Sequence, residues 1–125
     1  MSPEKQKDLF DRYPDIFSEH SWPMSQPCMC WGIETGSGWY KLLDDLCAQL
    51  TLLKRYTGLE VVCGQCKSKF ATLRFYHHIS TFPIGVTDEE KRVWCDVVDA
   101  LVDNAERVSA QTCEETGEYG ELCVR

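Results

Sequence analysis

The chain has 125 residues, 43% hydrophobic and 26% charged, with 20 acidic against 13 basic side chains for a formal charge of −7. These proportions suit one folded domain and exclude a disordered, collagen-like or low-complexity polypeptide. No apolar run approaches the ~20 residues needed to span a membrane, and the opening MSPEKQKDLF is too polar for a secretory signal, so a protein without a membrane span, at work in the cytoplasm, is expected.

Ser2 is placed to cap a short first helix that has Pro3 at its first position and ends before Pro14. Residues 15–36 read as an irregular loop carrying Phe17, Trp22, Met24, Met29, Trp31 and Ile33, too many apolar groups for a free linker. A second helix is predicted near 38–56 with Ser37 as its cap. Trp39, Leu42, Leu43, Leu46, Cys47, Leu50 and Leu53 form one buried stripe, and Gly58 supplies the stop. Two strands follow, Leu59–Cys66 and Phe70–Ile79, joined by a short connection that favours an antiparallel hairpin. In the second strand Ala71, Leu73, Phe75, His77 and Ile79 share one face, and Thr72, Arg74, Tyr76 and His78 the other. Gly64 inside the first strand points to a bulge or a bend. Thr87-Asp88-Glu89-Glu90 is a capping box that opens a long helix to about residue 108, with an apolar stripe of Trp94, Val97, Val98, Leu101, Ala105 and Val108. Residues 109–125 read as turns. The expected fold is therefore α+β, with two long amphipathic helices packed on a small antiparallel sheet. It forms a single domain, 1–125, of an N-terminal helix and packed loop (1–36), a helix-hairpin-helix core (37–108) and C-terminal turns (109–125).

Charge is unevenly distributed along this plan. Residues 1–75 hold nine acids and nine bases, which cancel, whereas residues 76–125 hold eleven acids and four bases, giving the whole −7. Such a body disfavours direct nucleic-acid binding, where counterion release needs Lys and Arg, and favours basic partners. Within it, Glu89, Asp96, Asp99, Asp103 and Glu106 fall inside about 100° on the last helix, opposite its apolar stripe. A row of carboxylates on a rigid helix can dock on a basic groove or imitate a phosphate backbone; charge runs of this kind are also commonly solvated faces. A second candidate surface is the outer side of the hairpin, where Lys67, Lys69, Arg74 and Tyr76 combine cations with an aromatic ring suited to a nucleotide or phosphate.

Eight cysteines, Cys28, Cys30, Cys47, Cys63, Cys66, Cys95, Cys113 and Cys123, are expected to be reduced in a cytosol, as buried small hydrophobes or as metal ligands. Cys63-Gly-Gln-Cys66 has the spacing of a zinc half-site. Cys113 and Cys123 are the candidates to complete it, with His77 and His78 as alternatives. No cofactor is otherwise implied. Redox chemistry at the same pair would need the first cysteine at a helix start, and a strand is predicted there instead.

GSGWYKLLDDLC (36–47), KSKFATLRFY (67–76) and SAQTCEETGEYGELCVR (109–125), in that order, resemble a family of small uncharacterised proteins encoded by phages and prophages. The resemblance spans about residues 30–125. Ala71 stands where that family usually has glycine, and Thr116 where some members complete a Cys-x-x-Cys with the cysteine matching Cys113. It implies a viral origin and a bacterial host cytoplasm as workplace, and it transfers no catalytic residue. The expectation is a non-enzymatic interaction protein that binds and inhibits a host protein or nucleoprotein complex through the acidic helix face. A defence system of the CRISPR or another type is one such target. The rival expectation is a zinc-stabilised module that binds a nucleotide or nucleic acid through the basic hairpin.

Overall fold

A computed structural model of the chain describes residues 1–21 and 32–118. The class is α+β, as expected. Three α-helices are present among the described residues: α1 (Pro3–Arg12), α2 (Tyr40–Thr57) and α3 (Asp88–Ser109). Three strands, β1 (Ile33–Glu34), β2 (Glu60–Lys69) and β3 (Thr72–Thr81), form one sheet in the order β1-β2-β3. The finer architecture departs from the expectation: 67–69, expected as the hairpin connection, are strand, and the turn lies at Phe70–Ala71. β2 and β3 are the antiparallel hairpin, but β1 adds to β2 in parallel, so the sheet is mixed.

Local chemistry explains most element boundaries. The Ser2 hydroxyl accepts from the Lys5 N–H to cap α1, with Pro3 in its first turn. α2 ends where Gly58 adopts a left-handed φ of 82° and its N–H closes on the Lys54 carbonyl. Ser37 does not cap α2. A 3-10 turn over Ser37–Trp39 intervenes, and the Ser37 hydroxyl accepts from the Ser2 N–H instead, tying the starts of α1 and α2 together. α3 opens with both reciprocal bonds of the capping box between Thr87 and Glu90.

The core lies between the sheet and the helices. Leu9, Phe17, Trp39, Leu43, Cys47, Leu59, Cys63, Cys66 and Leu73 are fully buried. The stretch expected to pack as a loop does so where it is described: Ile16 and Phe17 are buried, and the Ile16 carbonyl accepts from Cys63 N–H. Trp22, Met24, Met29 and Trp31 lie outside the described residues. α3 packs along β3, and α2 packs on α3 and β2.

One orientation differs from the sequence pattern and governs the functional reading. On α3 the buried residues are Val98, Val102, Ala105 and Ser109, while Trp94 and Leu101 are half-buried, and Val97 and Val108 stand 36% and 46% exposed. At 100° per residue the helix is turned by roughly 60° from its most apolar face.

Candidate functional surfaces

The turn of α3 has a visible cause. β3 is an edge strand, and its outward N–H groups need acceptors. α3 supplies them. The Ser109 Oγ accepts from Leu73 N–H at 2.8 Å, and the Glu106 carboxylate accepts from Phe75 N–H at 3.0 Å. One step further along, Asp99 meets His77 Nε2 at 3.0 Å while His77 Nδ1 contacts the Phe75 carbonyl at 3.2 Å. The helix thus closes the sheet edge with polar side chains spaced to match the strand. His77, read from sequence as a residue on the apolar side of β3, is half-buried, with an acceptor oxygen within hydrogen-bond distance of each ring nitrogen.

This divides the five carboxylates expected to act together. Glu106 faces β3 and is occupied by the Phe75 N–H, while Asp99 meets the His77 ring and stays largely exposed. Glu89, Asp96 and Asp103 remain exposed on the outward side and make no ion pair with another described residue. These three fall within about 40° of one another and span ~21 Å along the helix. Three apolar side chains, Val93, Val97 and Val108, share the outward half of α3 with them, Val93 being 57% exposed.

The basic candidate surface is also present. Lys67 pairs across the hairpin with Arg74, Gln65 with Tyr76, and Lys69 with Thr72. The Lys67 ammonium stands 5.9 Å from the Tyr76 ring centre, and Lys69 5.8 Å from that of Phe70, which is 88% exposed. None of Lys67, Lys69 and Arg74 forms an ion pair among the described residues, although Glu34 on β1 is the cross-strand neighbour of Lys67.

The cysteine set does not assemble as expected. A register shift between Cys63 and Gln65 marks the bulge at Gly64, which resets the alternation so that Cys63 and Cys66 are both buried in the core. Burial pushes both thiols up, as it does Cys47, so all three are held as neutral thiols. Cys113 is disulfide-bonded, a departure from the expectation of reduced cysteines, and its partner lies outside the described residues, as does Cys123. Among the described residues there is no group of three or more His, Cys, Asp or Glu side chains arranged to hold a metal ion.

The segments that carry the resemblance meet at one buried carboxylate that sequence reasoning missed. Glu114 is 5% exposed; its Oε2 accepts from Gly36 N–H at 2.7 Å and its Oε1 from the Ser68 hydroxyl at 2.7 Å. The Glu114 carbonyl accepts from Gly38 N–H, and Trp39 Nε1 donates to the Thr112 carbonyl at 2.9 Å. The two backbones approach so closely that a Cβ at Gly38 would lie 2.3 Å from the Cys113 carbonyl oxygen. GSGW, KSK and TCE are therefore three sides of one structural joint. Nothing local marks Glu114 for this role, since Gly36 is 78 positions away.

No protein-family model, curated protein or solved structure matches this chain, so geometry and charge carry the functional reading.

Proposed function

We propose that this is a non-enzymatic, phage-encoded interaction protein that binds and inhibits a bacterial host factor, a defence component being one candidate, through the outward face of α3. The observation that carries the reading is the exposed trio Glu89, Asp96 and Asp103, unpaired within the described residues and fixed on a 22-residue helix capped at its start and packed along its length. Carboxylates held in place lose little conformational freedom on meeting a basic surface, and steer it over long range. Asp99 and Glu106, first grouped with them, hold the sheet edge and are not part of the contact.

The test is capture from a bacterial lysate by the tagged full chain, against the Glu89→Lys/Asp96→Lys/Asp103→Lys variant. All three positions are solvent-facing, so the variant should stay folded with an unchanged far-UV spectrum, the charge reversal at Glu89 in the first turn of α3 costing only a small part of its stability. Loss of the captured partner supports the reading, and retention at wild-type yield refutes it.

A second reading is favoured by one specific observation. Lys67 and Arg74 are like charges directly opposed across the hairpin, an arrangement that costs stability unless an anion is shared between them. The outer hairpin face, with Lys69 and Tyr76, would then hold a phosphate-bearing ligand.

A further inference from the structure

The outward half of α3 borders a groove. A cavity of about 300 Å3 lies between α2 and α3, where Leu42, Leu46, Ala105 and Val108 line it together with the polar side chains of Lys41, Asp45, Gln49 and Asn104. It has room for a large aliphatic or aromatic side chain. From its α3 edge an apolar stripe continues through Leu101 and Val97 to Val93. At 100° per residue Val93, Val97, Leu101 and Val108 fall within about 80° of one another. Glu89, Asp96 and Asp103 lie together on the side of that stripe away from α2. The surface is therefore graded across its width, from a cleft of mixed polarity, through exposed valines, to carboxylates.

Building on the α3 reading above, we propose that this surface receives a basic amphipathic helix of the partner protein. The apolar face of that helix would fill the cleft and cover Val93, Val97 and Val108, and its lysines and arginines would meet Glu89, Asp96 and Asp103. Charge complementarity selects this occupant. α3 itself carries seven acids against three bases (Asp88, Glu89, Glu90, Asp96, Asp99, Asp103, Glu106; Lys91, Arg92, Arg107), a sum of −4. A second copy of the chain would bring the same acids face to face, which costs free energy. The interleaved valines separate the surface from a phosphate mimic, because a groove made for a phosphate backbone offers cations and no apolar cleft to bury them in. Laying an amphipathic helix into an apolar groove is an established way of recognising a protein segment.

The probe is a fluorescein-labelled synthetic peptide about four turns long, to match Val93–Val108, with leucines along one face and lysines on the other. Binding to the full chain is read by anisotropy, beside a scrambled peptide of the same composition and an amphipathic peptide with glutamate in place of lysine. The expected result is binding of the basic amphipathic peptide alone. Val97→Asp and Val108→Asp should each weaken it about tenfold or more, as for central interface positions. Both positions are partly exposed, so the variants should stay folded, checked by far-UV spectrum and melting temperature before binding is read. If the scrambled peptide binds as tightly, the groove proposal fails while the acidic-face reading survives. If the acidic peptide binds as tightly, both fail. If no peptide binds, the groove proposal is overturned, while lysate capture and its loss in the triple lysine variant still decide the acidic-face reading. A dimer by equilibrium sedimentation that Val97→Asp returns to monomer would make the occupant a second copy, which also overturns it.

Discussion

Replacing Ser109 by alanine removes the acceptor that serves Leu73 N–H and leaves that amide buried at the joint between β3 and α3. Ser109 is fully buried, and its hydroxyl also donates to the Glu106 carbonyl. Stranding a buried N–H costs ~1–3 kcal/mol, of which we take about 2. Alanine is the better helix former by roughly 0.5 kcal/mol, so the net loss is about 1.5 kcal/mol. With an unfolding entropy of ~2.1 cal/mol/K per residue, a chain of 125 residues has ~260 cal/mol/K, and the loss becomes a fall of about 6 °C in melting temperature. Thermal and urea unfolding followed by far-UV circular dichroism measure it. Glu89→Ala, on the outward face of the same helix, should stay within ~0.5 kcal/mol of wild type. A Ser109→Ala protein as stable as wild type would refute the view that α3 is turned to satisfy the strand edge.

Three further outcomes follow from the same coordinates. The β2–β3 turn sets Phe70 and Ala71 at φ of 54° and 59°, both left-handed, so Ala71→Gly should stabilise by about 0.5–1 kcal/mol, and an unchanged or lowered urea midpoint would contradict that geometry. Native-state alkylation read by mass spectrometry should label Cys95, which is exposed, well before Cys47, Cys63 and Cys66; Cys113 should react only after reduction, and labelling of Cys63 at the rate of Cys95 would be inconsistent with the core described. The Glu60 carboxyl is lowered from its ordinary value of 4.5, first by the hydrogen bond from Lys54 and then by that from the Thr81 hydroxyl. Its contribution is therefore full above the unfolded carboxyl range and is lost as pH falls through the lowered folded value. Glu60→Gln should flatten the acid-unfolding curve, and an identical curve would contradict the assignment.

What could be read in advance was local. The Thr87–Glu90 capping box, Gly58 as a helix stop and the Gly64 bulge all depend on a few neighbouring residues and appear where the pattern puts them, while the hairpin pairs antiparallel as expected but turns at Phe70–Ala71, past the connection expected at 67–69. The orientation of α3 was not legible, because hydrophobic periodicity counts apolar side chains and cannot see N–H groups on a distant strand that need acceptors. Val102 and Ser109 complete the buried run Val98, Val102, Ala105, Ser109 at steps of four, three and four, but a serine in that position reads as an interruption until its partner is known. That rotation also decides which carboxylates are free, so the acidic row was legible as composition and illegible as a surface. β1 is two residues long and Glu114 is served by Gly36 from the far side of the chain, contacts set by tertiary packing alone.

The central claim is that α3 divides its acids between two tasks, with Asp99 and Glu106 holding the sheet and Glu89, Asp96 and Asp103 meeting a partner. The most direct measurement is partner capture by the Glu89→Lys/Asp96→Lys/Asp103→Lys chain beside capture by the Asp99→Ala/Glu106→Ala chain, each with its melting temperature. The first should stay folded with only a small loss of stability and lose the partner, and the second should melt lower and, below its transition, keep the partner. The reverse pattern, or equal retention by both, would contradict the account.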